Sequence, residues 1–264
     1  VNAIYGMASM LIKFIDEYHP QALVACFDTP KPTFRKEMYP EYKAHRPPPP
    51  EDFVPQIPIM KELFQVFDIP VYELEGFEAD DVLGTMAKLA ESQGFRALIV
   101  TGDRDAYQLI DDNIRILTTK KGISDLIEID EEALWEKWQV APAQVVDLKA
   151  LMGDASDNIP GVPGVGEKTA MALLNQFKDL NDIYRNLDKV EKKGVREKLA
   201  QNEKLARLSF DLAKIHTQVP ISIDWSTHKL EVSWPRVYDF CKKYAFRSLT
   251  TKVGARLQPT EAER

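Results

Sequence analysis

The sequence predicts an α/β domain built on a largely parallel sheet, followed by a helical domain. Short apolar runs alternate with segments of helical character through the first half of the chain. From about Glu131 to Phe246 the pattern turns mostly helical, with glycine and proline punctuation at 160–166. Two of the apolar runs, LVACFD and ALIVTGDRD, end in aspartates, and the carboxyl edge of an open parallel sheet is where such folds bind ligands.

Taken in order, residues 5–18 read as a helix and Ala22 to Phe27 as the first apolar strand. Residues 31–53, with Pro47 to Pro50, form a polar, aromatic and basic insertion without periodicity, and a connection this long and irregular is usually functional. A helix is expected over 54–67, a strand from Ile69 to Leu74, and a helix over 78–93 in which Val82, Leu83, Met86, Leu89 and Ala90 are helically spaced. Strands follow at Ala97 to Val100 and Ile114 to Leu117, with a helical segment at 104–110 between them. The expected division is 1–140 for the α/β domain, 141–254 for the helical domain and 255–264 for a tail or linker.

A chain of 264 residues can bury a full core, and its 44% hydrophobic and 28% charged content is that of an ordinary globular protein. No apolar run is long enough to span a bilayer and the visible start has no signal-peptide pattern, so the expectation is a cytoplasmic monomer. Cys26 and Cys241 offer neither a disulfide framework nor a zinc ligand set. The net charge of −7 argues superficially against a nucleic-acid partner, but basic residues cluster at 31–47, 120–122 and 189–198. An acidic hole inside a basic rim satisfies both facts.

The acids are concentrated. Glu78, Asp80 and Asp81 stand where a helix begins, Asp28, Asp103 and Asp105 at strand ends, and Asp154 and Asp157 in LMGDASDNIPG. Any one pair suits a helix cap or turn. Glu78 with Asp81, and Asp154 with Asp157, would share a helix face if the turns are regular. Eight convergent carboxylates repel unless cations neutralise them, and oxygen ligands without His or Cys favour magnesium or manganese over zinc. Two such ions about 3.5–4 Å apart suit phosphodiester hydrolysis.

IPGVPGVGEKTAMALL, residues 159–174, is the other informative stretch. Gly161, Gly164 and Gly166 permit a tight turn into a helix starting at Glu167 or Lys168, and amides at such a start can hold one phosphate without reading a base. Plain punctuation between helices is the alternative, but the spacing is that of a helix-hairpin-helix. It is not a Walker loop, because Glu167 follows Gly166.

Taken together, ACFD with TFR following, YKAHRP, EADDVLGT, TGDRDAYQL, LMGDASDNIPGVPGVGEKTA and KKYAFRSL resemble, in order and spacing over nearly the whole chain, the 5′ nuclease domain of bacterial DNA polymerase I in the flap endonuclease family. The resemblance implies a PIN-like domain carrying two or more magnesium ions, then a helical domain whose hairpin grips duplex DNA, often with a potassium ion on hairpin carbonyls. It makes Asp28, Glu78, Asp80, Asp81, Asp103, Asp105, Asp154 and Asp157 the metal-site acids. Arg35, Lys43 and Arg46 would contact phosphate, and Tyr42 would stack on a base, where a solvated basic loop with a half-buried tyrosine is the plainer reading. Gly161, Val162, Gly164, Val165, Gly166, Lys168 and Thr169 would form the DNA-gripping turn, and 31–53 an arch over a single-stranded 5′ end. Lys192, Lys193 and Arg196 suit either a second backbone contact or a solvated helix face.

In one respect the chain departs from the family. Relatives begin with an apolar strand ending in D-G ahead of the Tyr5-Gly6 position, whereas this sequence starts at Val1-Asn2-Ala3, so a gap in the sheet and a lost metal ligand are expected. Three functions are therefore weighed: a structure-selective 5′ nuclease acting on 5′ flaps, nicked or gapped duplex and RNA primers, as the front part of a polymerase; a DNA-binding module with impaired catalysis; and a PIN-type ribonuclease, for which the hairpin is superfluous.

Overall fold

A computed structural model describes residues 2–119 and 126–258. The basic stretch 120–122 and the last six residues of the expected tail, 259–264, lie outside the described residues.

Helix α1 (Asn2–Tyr18) leads to strand β1 (Ala25–Cys26), the short helix α2 (Phe34–Met38), helix α3 (Ile57–Val66), strand β2 (Val71–Tyr72) and helix α4 (Ala79–Ser92). Strand β3 (Ala97–Val100), a 3-10 helix at Arg104–Leu109, and strands β4 (Ile114–Thr119) and β5 (Leu126–Ile129) complete the α/β part. Then come α5 (Glu131–Trp138), α6 (Val145–Met152), α7 (Glu167–Gln176), α8 (Leu180–Arg185), α9 (Lys193–Gln201), α10 (Glu203–Ala213), α11 (Trp234–Lys243) and α12 (Arg247–Arg256).

Among the described residues the strands form two sheets. β1 pairs with β2 in parallel, Ala25 opposite Val71. β3 pairs with β4 in parallel, Ala97 opposite Ile114, and β4 with β5 antiparallel, Ile116 opposite Ile129. No ladder joins β1 to β3, although α4 packs on both. The lack of a ladder there leaves β1 and β2 with a single partner each, which explains why they are only two residues long where six were expected. β5 went unseen because LIEI is a short run interrupted by a charge.

The interior is correspondingly double. One core gathers β3, β4 and β5 with α4 and the helices from α5 to α10, and includes Ile99, Ile116, Leu134, Leu148, Leu151, Val162 and Leu173. The other joins α1, α3 and β1 to α11 and α12 through Ile4, Ile12, Leu63, Phe67, Val237, Phe240 and Val253. Residues 141–254 are thus not one helical body: the last two helices return to the N-terminal half. Their apolar faces fit the exposed side of α1 and α3, a pairing that periodicity cannot reveal. Residues 214–233 form no helix, contrary to the expected run to Phe246; Pro220 and the β-branched Val219, Ile221 and Ile223 hold the chain extended while Val219 packs against Val82 and Met86.

Candidate active site

Helix α4 begins at the carboxyl edge of the strands. Glu78 is its N-cap in an extended conformation, and its N–H donates to Asp81 Oδ2 at 3.0 Å. Asp28, just beyond β1, accepts the Ala79 N–H at 2.8 Å, so the strand end and the helix start are tied together through a carboxylate. Asp80 sits among like charges. Burial first, then the neighbouring charges of Asp103, Glu78 and Asp28, push its carboxyl up to about 6, with Lys43 acting in the opposite sense. Asp103 caps the 3-10 helix by accepting the Asp105 N–H at 2.9 Å. Asp103, Asp105, Asp154 and Ser156 then line a cleft of about 430 Å³ together with Arg104, Trp138 and Lys149.

The expected acids thus converge on one edge, but they do not all face it. Asp81 is fully buried and held by the Arg35 guanidinium through two bonds of 2.7 and 2.8 Å, and it also accepts the His216 N–H at 2.8 Å. Burial would raise its carboxyl, yet these bonds lower it below the ordinary range. Both of its oxygens accept hydrogen bonds within the fold, so in this conformation Asp81 anchors the start of α4 and Arg35 anchors Asp81. Arg35 is 2% exposed and also donates to the carbonyls of Leu212 and Lys214, at 2.9 and 2.7 Å, so it clamps α2 and α4 to the carboxyl end of α10.

Asp154 and Asp157 do not share a helix face. Helix α6 stops at Gly153, whose φ of +76° a side chain would resist, and the next residues form a turn closed by reciprocal backbone bonds between Asp154 and Ile159 of 2.9 and 2.8 Å. The basic insertion folds down onto this turn. The Lys43 N–H donates to the Asp157 carbonyl at 2.9 Å and Asn158 Nδ2 to the Glu41 carbonyl at 2.7 Å. Arg46 binds Asp157, and Lys43 Nζ lies 2.8 Å from Glu78 and 3.7 Å from Asp157. Tyr42 is 4% exposed and its hydroxyl donates toward Glu78 and Asp157 at 3.1 and 3.3 Å, so in this conformation its ring has no free face for a base.

Lys149, which the sequence reading passed over, holds the remaining pair: its ammonium donates to Asp105 and, at 2.6 Å, to Asp154. Burial would raise the Asp154 carboxyl, but Lys149 and Ser156 bring it down to about 2. The signal in the sequence was a lone cation inside the apolar helix LKALM. Asp28, Asp80 and Asp103 form no ion pair with Lys or Arg among the described residues. The donors are oxygen only, which fits a hard divalent cation, and the Asp80 carboxyl is partly buried within the charge of Asp103, Glu78 and Asp28. They are not drawn into a ligand shell: among the described residues no three His, Cys, Asp or Glu side chains are grouped closely enough to hold an ion.

The hairpin is also sorted by burial. Val162 and Val165 are 2% and 3% exposed and belong to the core, and the Gly161 N–H donates to Ser209 Oγ at 2.9 Å, so these three expected DNA contacts are corrected to anchors of the turn. Gly161 has φ +64°, and a Cβ there would lie 2.2 Å from the Gly153 nitrogen. Gly164, Gly166 and Lys168 are exposed and Thr169 partly so, at the start of α7 where the first amides have no intrahelical partner. Lys198 reaches the same turn, donating to the Gly164 carbonyl at 3.0 Å.

The chain is thus an α/β domain with an acid-lined cleft at its strand edge, followed by helices that carry a glycine hairpin. Comparison with known proteins specifies it: residues 1–139 match the family described as 5′-3′ exonuclease, N-terminal resolvase-like domain, and residues 140–235 match 5′-3′ exonuclease, C-terminal SAM fold. The chain therefore belongs to the 5′-3′ exonuclease family. It is 44% identical to DNA polymerase I of Bacillus caldotenax over 96% of this chain and 29% of that protein. It is 40% identical to the thermostable DNA polymerase I of Thermus thermophilus over 100% of this chain and 31% of that protein. The chain thus spans less than a third of the length of these relatives. Among solved structures, the T5 5′-exonuclease with divalent zinc bound superposes with a TM-score of 0.66 at 25% identity, covering 79% of this chain and 80% of that one. The catalytic core of Rad2 in complex with DNA substrate shares the fold, with a TM-score of 0.63 at 19% identity over 96% of this chain and 84% of that one. Among the described residues no helix is long and apolar enough to cross a membrane.

Proposed function

We propose that this chain is a structure-selective 5′-3′ exonuclease and flap endonuclease, hydrolysing phosphodiesters of DNA or RNA primers in replication and repair. The observation that supports the reading best is the gathering of acids at the sheet edge: Asp28, Glu78 and Asp103 act on Asp80 by their charge, while Asp105 and Asp154 line a cleft with Asp103, and Asp157 meets Glu78 through the Tyr42 hydroxyl. These oxygens suit two or more magnesium ions, manganese substituting, with the first group holding one and the second another. When bound, such ions polarise the attacking water and neutralise charge developing on the leaving 3′ oxygen.

The chain's own residues do the rest. Lys43 and Arg46, with side chains 26% and 47% exposed, are the basic groups free enough to exchange an acid for a substrate phosphate. Gly164, Gly166, Lys168 and Thr169 present backbone amides, a hydroxyl and a charge to one strand of a duplex, positioning it without reading sequence. A potassium ion on hairpin carbonyls belongs to the same reading. Residues 31–53 cover the 5′ end, and Tyr42 stacks on a base only when this segment lifts off the 154–157 turn. The partners are 5′-flap, nicked or gapped DNA and primer RNA, with a polymerase domain in the same polypeptide. The protein acts as a cytoplasmic monomer associated with the nucleoid.

One observation favours a second reading, DNA binding with weak cleavage: among the described residues no ladder joins β1 to β3 at the edge where the acids gather. The test is magnesium-dependent cleavage of a labelled 5′-flap duplex, with an Asp103→Ala, Asp105→Ala double variant as control and single-stranded RNA as competitor substrate. Cutting near the junction that needs metal and vanishes in the variant supports the nuclease. Flap binding without cutting supports the second reading, and preferential RNA cleavage overturns both.

A further inference from the structure

The eight expected acids divide by what neutralises them. Glu78, Asp81 and Asp157 are met by Arg35, Lys43 and Arg46, which belong to the insertion and the helix within it. Asp28, Asp80 and Asp103 form no ion pair with Lys or Arg among the described residues, although the charge of Lys43, paired to Glu78, reaches Asp80. Asp105 and Asp154 share one cation, Lys149, which comes from α6 inside the site itself. Lys149 is 6% exposed, on the helix that ends at Met152, two residues before Asp154, and it lines the cleft that its two partners line.

From this geometry we infer that Lys149 is a tethered counter-cation that competes with a divalent ion for the Asp105–Asp154 pair. The inference rests on the metal-dependent reading above. An ammonium is a compact charge with three donors, and it occupies the carboxylate lone pairs that an incoming ion needs. An ion entering between Asp105 and Asp154 must first break two charge-assisted hydrogen bonds, whereas one entering among Asp28, Asp80 and Asp103 displaces no cation and relieves repulsion. The consequence is an ordered pair of sites, the first tight and the second held weak until the ammonium is displaced into the cleft. With the ion absent, the same lysine keeps the 154–157 turn from being driven off the 3-10 helix by like charge.

Calcium titration followed by calorimetry, without DNA, tests this on the whole chain. Lys149→Met keeps the length of the side chain and removes its charge. Expected for this variant is a weaker site tightened by about tenfold or more, the scale of losing hydrogen bonds between charged groups. A lower melting temperature in chelator, restored by calcium, should accompany it. Adding Asp105→Asn and Asp154→Asn should abolish the tightened site, while Lys149→Arg should leave it weak. Should Lys149→Met not fold, NMR of the lysine ammonium groups in the unaltered chain decides: an ordered Lys149 signal in chelator should disappear on calcium saturation. Calcium binding that Lys149→Met leaves unchanged or weakens, or an ammonium signal that persists at saturation, overturns the inference while sparing the metal-dependent reading. Absence of divalent binding in both the unaltered chain and the variant overturns the two together.

Discussion

Asp80→Asn should make the metal-free protein more stable at neutral pH even as it weakens the site. The Asp80 carboxyl is raised from an ordinary 3.8 to about 6 by burial and by the charges of Asp103, Glu78 and Asp28. Two pKa units at about 1.4 kcal/mol each give roughly 3 kcal/mol, an upper value for ionising this group in the folded chain. The raised folded value sets the sign: the folded state binds the extra proton, so the stabilisation is complete below about pH 4 and is lost as pH rises through 6. Asparagine carries no such charge. Urea denaturation in chelator at pH 5 and pH 8 should show the unaltered chain losing about 1.4 kcal/mol between the two, the part of the roughly 3 kcal/mol not already lost below pH 5, that Asp80→Asn does not lose. Adding a divalent ion at pH 8 should stabilise the unaltered chain more than the variant. Equal pH slopes, or a variant less stable at pH 8 without metal, would refute the claim that carboxylates are crowded here.

Other residues separate folding from substrate handling. Arg35→Ala should cost about 3–5 kcal/mol in urea denaturation by leaving Asp81 buried and unpaired, and Arg35→Lys should rescue it poorly for want of the planar fork. Gly161→Ala should lower stability by at least about 1–3 kcal/mol, from a positive φ and a Cβ against the Gly153 backbone, with duplex affinity falling only as the fold does. Lys168→Ala, at an exposed position, should leave the melting temperature within about a degree or two while lowering duplex affinity and reducing the salt slope by about 1. On the acid side, Asp154 at about 2 has the opposite sign to Asp80: its stabilisation is present above about pH 4 and lost toward pH 2, a loss that Lys149→Met should shrink in acid titrations of stability.

The sequence alone determined most elements of the first half, though not β5, and the positions at which acids and glycines are concentrated. Helical spacing after Glu78, apolar runs ending at Asp28 and Asp103, and the glycine spacing of 161–166 are local signals, and each appears in the structure close to its expected place. Local signals suffice there because capping, strand burial and positive φ are decided by a residue and its near neighbours. Tertiary structure alone decided how the charges are shared. Asp80 and Asp81 are adjacent and chemically identical, yet one is crowded by acids at the strand edge and the other lies under Arg35 and the segment at 212–216. Lys149 reads as one more charge in a helix until the turn after Gly153 brings Asp154 back over it and β3 delivers Asp105. The same holds for α11 and α12, whose apolar faces are visible in the pattern but whose partners, α1 and α3, lie some 170 residues or more earlier in the chain. Burial and electrostatics depend on contacts between distant segments, and those contacts exist only once the chain has closed on itself.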